Sequence, residues 1–201
     1  MNPEIFAVEL KSDIVDSAFD SLFRFVDKKK QEQINRMKIK SDRDLSLVGY
    51  WLAKLAIKKV FGIPIAEIRF ESEESGKPYV AGYPDVHFNI SHSGNIVLCA
   101  VYDKPVGIDI QKMKDSNFEL LAKRVFTEKE KEQFYSAPQD GRKAQFFRTW
   151  TAKESYLKFL GTGIKDFKKD IDGNCVVSTF SFLNDYTISV CSGRRLDERT
   201  S

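Results

Sequence analysis

The segment Trp51-Leu-Ala-Lys-Leu-Ala-Ile-Lys-Lys-Val-Phe-Gly62 lies over Trp150-Thr-Ala-Lys-Glu-Ser-Tyr-Leu-Lys-Phe-Leu-Gly161 without a gap. Trp51, Ala53, Lys54, Lys59 and Gly62 match Trp150, Ala152, Lys153, Lys158 and Gly161. The chain has two tryptophans, and each heads one copy, so the match weighs more than its length suggests. Two copies of one α+β unit facing each other about a pseudo-twofold axis would produce this pattern. Two amphipathic helices alike by chance is the competing account. The break at Asp103-Lys-Pro105 divides the chain into an N-terminal α+β subdomain, 1–104, and a C-terminal one, 105–201. Glu154 falls opposite Leu55 in the alignment. One copy has the acid and the other lacks it, which predicts a single active site at the seam.

The elements follow from periodicity. Ile5 to Leu10 reads as a strand, and Phe19 to Val26 as an apolar helical patch running into a charged helix that reaches about Lys40. Ser41-Asp-Arg-Asp44 has the form of a helix cap with Ser41 at the N-cap. Leu45 to Phe61 has helical spacing, stopped by Gly62 and Pro64. Ile68 to Phe70 is a short strand, and Ser75 to Pro78 a turn. From Val86 to Ile90 the pattern alternates, with Val86, Phe88 and Ile90 inward and His87 and Asn89 outward. Ser91 to Gly94 is read as a turn, followed by a buried strand, Ile96 to Val101. The second half repeats the theme: a strand (Val106 to Gln111), helices over Phe118–Arg124, Thr127–Tyr135 and Ala144–Leu160, and strands near Cys175–Leu183 and Tyr186–Cys191. The polar tail from Ser192 to Ser201 is expected to fray.

Composition narrows the function. With 201 residues, 42% hydrophobic and 30% charged, the chain has enough apolar residues for a real core. A net charge of +3 argues against a dedicated nucleic-acid binder and suits an anionic ligand or an acidic partner. Cys99, Cys175 and Cys191 are widely spaced and form no CxxC pair, which points to reduced thiols in a cytoplasmic protein and away from a zinc site. The N-terminus has no basic segment leading into an apolar run, so no signal peptide is expected. No window holds the roughly 18 apolar residues of a membrane span.

Two segments carry chemistry. In Val106-Gly-Ile-Asp-Ile-Gln111 the strand period puts Val106, Ile108 and Ile110 on one face and Gly107, Asp109 and Gln111 on the other. Asp109 and Gln111 are then about 7 Å apart, where one cation could be reached by both or by Asp109 alone. Gly107 leaves space on that face for a ligand. In Trp150 to Lys158, Glu154 and Lys158 share a helix face. Each segment alone has a plain account: an Asp on a solvated sheet face, and a surface ion pair worth roughly 0.3–0.5 kcal/mol. Together, a strand carboxylate, a helix carboxylate and nearby lysines suit a magnesium ion gripping a phosphate ester.

The order of motifs gives a resemblance. Gly76-Lys-Pro78, Phe88-Asn-Ile-Ser-His-Ser93, Gly107-Ile-Asp-Ile-Gln111, Phe126-Thr-x-x-Glu130 and Trp150-x-x-Lys-Glu-Ser-x-x-Lys158 resemble those of the 4′-phosphopantetheinyl transferases of the longer, pseudo-dimeric, surfactin-synthetase-activating type. The resemblance runs from about Phe6 to Val190. It implies transfer of the phosphopantetheine arm of coenzyme A to a serine of an acyl or peptidyl carrier protein, releasing adenosine 3′,5′-bisphosphate, by a monomeric enzyme. It implies Mg²⁺, with Mn²⁺ as a possible substitute, held by Asp109 and Glu154, with Gln111 a weak ligand or replaced by water. It implies that Lys158 holds the phosphate and that Glu154 is a candidate to take the serine proton, directly or through water, with the identity of the base left open by the sequence. Ser91, His92, Lys77, Pro78, Lys153 and Lys30 carry over as coenzyme A contacts, His92 at the 3′-phosphate. Solvated residues and plain turns are the competing readings of several of these.

The same resemblance places carrier docking around Phe118–Phe134. Lys112, Lys114, Lys123, Arg124, Lys129 and Lys131 there either steer an acidic partner or are solvated helix faces. Thr127 to Glu130 forms a capping box in any protein. Two departures stand out: Gln111 where the family often has Glu, and Leu45 where it commonly has Arg, with Arg43 the nearest substitute. A coenzyme A- or carrier-binding relative with weakened catalysis, and an unrelated Mg²⁺ phosphohydrolase, are the alternatives.

Overall fold

The structure, a computed structural model, describes residues 2–115, 117–163 and 167–193. The first half runs β1 (Glu4–Glu9), α1 (Asp16–Phe23), α2 (Lys28–Asn35), α3 (Lys40–Phe61), a small hairpin of β2 (Phe70–Ser72) and β3 (Pro78–Val80), then β4 (His87–Ser93) and β5 (Ile96–Tyr102). The second runs β6 (Val106–Lys112), α4 (Phe118–Val125), α5 (Glu128–Ser136), α6 (Arg142–Leu160), β7 (Cys175–Phe182) and β8 (Tyr186–Gly193). Each half thus has a strand, two short helices, a long helix and a closing hairpin, and the first half adds the β2–β3 hairpin. The sheets are antiparallel, ordered β1-β5-β4 and β6-β8-β7. In both, the first strand is an edge and the last is central. The chain is a mixed α+β protein of two matching units.

Alternation in β5 explains how they join. Val97, Cys99 and Val101 point to α3, and Ile96, Leu98, Ala100 and Tyr102 point the other way, onto Val106, Ile108, Ile110, Ile188 and Val190. The two sheets therefore share an apolar layer, with α3 and α6 on their outer faces. Full burial of each Val, Leu or Ile contributes about 1.5–3 kcal/mol. This layer, more than any polar contact, holds the seam rigid.

Several boundaries differ from the sequence reading. Ser91 to Ser93 are strand, not turn, because β4 pairs with β5 out to Ser93 opposite Ile96, leaving the reversal to Gly94 (φ 59°) and Asn95. Asn89 does point away from the first core, but toward the seam, where it is 6% exposed. α3 begins at Lys40 after Ile39, so Ser41 lies inside the first turn and caps nothing. The charged helix ends at Asn35 rather than near Lys40. Thr127 does close a capping box with Glu130. Of the expected tail, Ser192 and Gly193 belong to β8, and the rest lies outside the described residues.

Candidate active site

Strands β4 and β6 meet at the seam without sharing a backbone ladder. Side chains of β4 serve the β6 backbone instead. Asn89 Oδ1 accepts from Ile108 N–H at 2.9 Å, Ser91 Oγ from Ile110 N–H at 3.3 Å and Ser93 Oγ from Lys112 N–H at 2.9 Å. Polar residues at every second position thus satisfy an edge that would otherwise be buried with unpaired donors. Sequence reasoning missed Asn89 and Ser93; the period-2 run of short polar side chains was the signal.

This register delivers Ser91 to Asp109. Asp109 is 2% exposed. Its Oδ1 accepts from Lys158 Nζ at 2.6 Å and from Ser91 Oγ at 2.8 Å, and Lys158 Nζ also reaches Ser91 Oγ at 2.9 Å. Gln111 Nε2 donates to the other oxygen, Oδ2, at 3.3 Å. Lys158 comes from α6, whose close approach to β6 depends on Gly107. A Cβ there would meet the Ser155 carbonyl oxygen at 2.0 Å and Phe159 N at 2.4 Å. Gly107 therefore makes room for the α6 backbone, not for a ligand.

Glu154, one turn before Lys158 on α6, lines a 270 Å³ cleft with Lys158, Lys77, Pro78 and Asn89. Burial first, then the charge of Asp109, raises its carboxyl pKa above the usual carboxylate value, against the pull of Lys158. Its carboxylate takes no hydrogen bond among the described residues. The donor set suits a divalent cation: a cleft-facing carboxylate without a donor, a second carboxylate in its field, and an amide oxygen on Gln111. No cluster of three or more His, Cys, Asp or Glu side chains with metal-site geometry occurs among the described residues. A hard cation here would complete its shell with the amide, water or phosphate oxygens.

Pro78 also lines a second cleft, of 250 Å³, with Lys30, Tyr50, Phe70, Glu71 and Phe88. Lys30 is half-buried while Lys28 and Lys29 are exposed, and burial lowers its pKa. His92 lies within the fields of Lys158 and Lys30. Surrounding protein and then Lys158 depress its pKa, partly offset by Asp42 and Asp109. Lys77 Nζ donates to the Phe159 carbonyl at 2.7 Å, capping the C-terminal end of α6, where a cation is favoured by the exposed carbonyls. Burial lowers its pKa.

Two residues go elsewhere. Lys153 does not line either cleft; it is 2% exposed and paired with Glu130 at 2.8 Å, tying α6 to α5. Arg43 lies over the Phe19 ring at 5.1 Å, facing α1, and does not replace an arginine at position 45, where Leu45 is core. Among the basic residues near α4 and α5, Lys112 pairs with Asp185 at 3.4 Å and Lys131 with Glu128 at 2.8 Å.

The first half holds the same positions with different chemistry. By strand register Phe6, opposite Cys99, stands where Asp109, opposite Ser189, stands in the second half. Lys59, the counterpart of Lys158, has its ammonium 5.6 Å from the Phe6 ring centre. Leu55, the counterpart of Glu154, is 52% exposed. Among the described residues the seam thus holds one acidic centre.

Residues 14–104 match the family described as 4′-phosphopantetheinyl transferase, N-terminal, and residues 105–191 match the 4′-phosphopantetheinyl transferase superfamily. A 4′-phosphopantetheinyl transferase of Bacillus subtilis is 32% identical over 94% of this chain and 92% of its own length. The 4′-phosphopantetheinyl transferase psf-1 of Bacillus pumilus is 33% identical over 94% of the chain and 89% of its own length. The 4′-phosphopantetheinyl transferase gsp of Aneurinibacillus migulanus is 37% identical over 80% and 67%.

Proposed function

The chain belongs to the 4′-phosphopantetheinyl transferase superfamily, and from that premise we propose that it moves the 4′-phosphopantetheine group of coenzyme A onto a serine of an acyl or peptidyl carrier protein, releasing adenosine 3′,5′-bisphosphate. One cleft lined by Glu154 and Lys158, with Lys158 bonded to the buried Asp109, carries this reading. The carrier hydroxyl attacks the β-phosphorus of the diphosphate, and negative charge grows on the departing phosphate. Lys158 spends two of its three ammonium donors on Asp109 and Ser91, leaving the third for a phosphate oxygen. Glu154, with its raised pKa, is a competent acceptor for the serine proton, directly or through water. Lys30 lines the second cleft, which suits the nucleotide end with its 3′-phosphate, and His92 lies in the fields of Lys30 and Lys158; Pro78 borders both clefts and Lys77 the first.

Asp109, Glu154 and the Gln111 amide oxygen would hold Mg²⁺, or Mn²⁺ in its place. Such an ion, when bound, neutralises charge between the phosphate oxygens. We place the division between the units after Lys104, the enzyme as a monomer, and its work in the cytoplasm. Three buried free cysteines support a reducing compartment, and no helix among the described residues is long and apolar enough to cross a membrane.

The test is an apo-carrier protein incubated with coenzyme A and Mg²⁺, read by intact mass. A carrier heavier by one phosphopantetheine supports the transferase. Coenzyme A or carrier binding with no gain in mass would turn the reading to a weakened, non-transferring relative. Breakdown of coenzyme A with no carrier present would turn it to a phosphohydrolase.

A further inference from the structure

The Lys153 ammonium is held by three oxygens: Glu130 Oε1 at 2.8 Å, Glu130 Oε2 at 2.9 Å and the Lys169 carbonyl at 3.1 Å. Three partners use all three donors, so none is left for a phosphate. Glu130 is committed too, since Oε2 also accepts from Thr127 N–H at 2.8 Å, closing the capping box. These bonds pin the first turn of α5 to α6 at the residue that precedes Glu154. A second anchor comes from β6: the Gly107 contact and the Lys158–Asp109 bond. Glu154 sits on the stretch of α6 that these anchors fix.

The first half contains the same parts without the clamp. Lys54, in the place of Lys153, is also buried, but its ammonium lies 5.1 Å from the Tyr50 ring centre. Asp27, the N-cap of α2, accepts instead from Tyr50 OH at 2.9 Å. A buried lysine under aromatic rings is therefore sufficient to pack a long helix in this fold. The three-oxygen clamp occurs in the half where a carboxylate has to be aimed.

We propose that the Glu130–Lys153 pair is a positioning device that sets the rotation of α6, and through it the placement of Glu154 and Lys158, for phosphopantetheinyl transfer. The inference rests on the transferase reading above. It also assigns Lys153 a different role from a contact to the coenzyme A phosphates.

The test compares Lys153→Met with the double variant Glu130→Gln/Lys153→Met. The single variant leaves the half-buried Glu130 carboxylate without its counter-charge and loses stability; the double variant leaves no uncompensated charge there and regains most of its thermal midpoint. In the double variant kcat stays depressed by about a hundredfold, the scale of a roughly 1 Å misplacement. Its KM for coenzyme A stays within about twofold of wild type, because no cofactor contact has been removed. Amide hydrogen exchange across residues 150–158 speeds up while that of α3 does not. A double variant with wild-type kcat overturns the proposal. So does a KM for coenzyme A that rises with kcat unchanged, which would put Lys153 on the cofactor. If the wild-type protein adds no mass to any carrier, the transferase reading fails by itself. The exchange measurement still decides the clamp: unchanged protection of α6 in the double variant refutes it.

Discussion

Gly107→Ala is the sharpest single change the seam offers, because the obstacle is backbone on both sides. The new Cβ would stand 2.0 Å from the Ser155 carbonyl oxygen, 2.4 Å from Phe159 N and 3.0 Å from the Lys158 carbonyl carbon. Ordinary contact begins at 3.4 Å, so α6 has to retreat by the difference, about 1.4 Å. None of the three atoms can swing aside as a side chain would. Overpacking a well-filled site costs about 1–3 kcal/mol, and this case belongs at the upper end. The same retreat carries Lys158 Nζ from 2.6 Å to about 4 Å from Asp109, beyond hydrogen-bond range, and moves Glu154 with it. A displacement of roughly 1 Å costs on the order of a hundredfold in rate. Urea unfolding reads the first effect, and single-turnover transfer to an apo-carrier, followed by intact mass, reads the second. Gly173→Ala is the control, since a Cβ there meets nothing within 4 Å. If Gly107→Ala keeps transfer within about twofold of wild type while Gly173→Ala does the same, the close approach of α6 does not set the geometry of the site.

The other predictions follow from the same geometry. Glu154→Gln and Asp109→Asn each abolish transfer; Glu154→Gln leaves the urea midpoint near wild type, whereas Asp109→Asn lowers it by weakening the bonds to Lys158 and Ser91. Transfer surviving in either variant at more than about a hundredth of the wild-type rate argues against the carboxylate pair. Gln111→Glu keeps activity and lowers the Mg²⁺ concentration needed for half-maximal rate; an inactive Gln111→Glu would mean that the side chain does not face the cation. Both histidines have pKa values lowered from 6.5: His87 by its partial burial and then Lys77, and His92, although its side chain is exposed, by the surrounding protein and then Lys158. They are therefore uncharged at neutral pH. Proton NMR titration of Lys158→Met should show His92 moving up while His87 stays; equal movement of both, or of neither, refutes the assignment of Lys158 to His92.

Much of this arrangement was readable from residues alone, and the reason is periodicity. Period 2 in Val106 to Gln111 put Asp109 and Gln111 on one face, and a four-residue spacing put Glu154 above Lys158. Both relations are local, so they survive whatever the rest of the fold does. The repeat around Trp51 and Trp150 gave the long helices as equivalents for the same reason. What failed were statements about what lies opposite a residue. Gly107 looked like ligand space because nothing local reveals that α6 passes over it. Asn89 reads as outward, and nothing local reveals that outward from one sheet is inward at the seam. Lys153, beside Glu154 in sequence, looked like a cofactor contact, but one step along a helix turns a side chain by about 100°, here toward α5 and Glu130. Ser91 and His92 looked like a turn because Ser, His and Gly are turn-prone, and pairing with β5 overrode that preference.

The two halves show what a seam requires before acidic chemistry can occupy it. In the working half, short polar side chains at 89, 91 and 93 close the gap between β4 and β6 and leave Ser91 free to hold Asp109. In the other, the register places Ser178 and Phe180 of β7 where Asn89 and Ser91 stand in β4. There β1 and β7 border a 400 Å³ groove instead, with Ile5 and Phe180 about two-fifths exposed. An aspartate at position 6 would find Phe180 in the place of the Ser91 hydroxyl and no glycine beneath the helix, since Glu4 occupies the place of Gly107. Lys59 alone would face it. The acid at 109 is tolerated in a position 2% exposed because Ser91, Lys158 and Gln111 surround it with donors. Phe6 is what the same backbone position holds when those donors are missing. Loss of the second centre therefore concerns the strand facing the acid as much as the acid itself, and restoring Phe6→Asp without rebuilding β7 would bury a charge with too few partners.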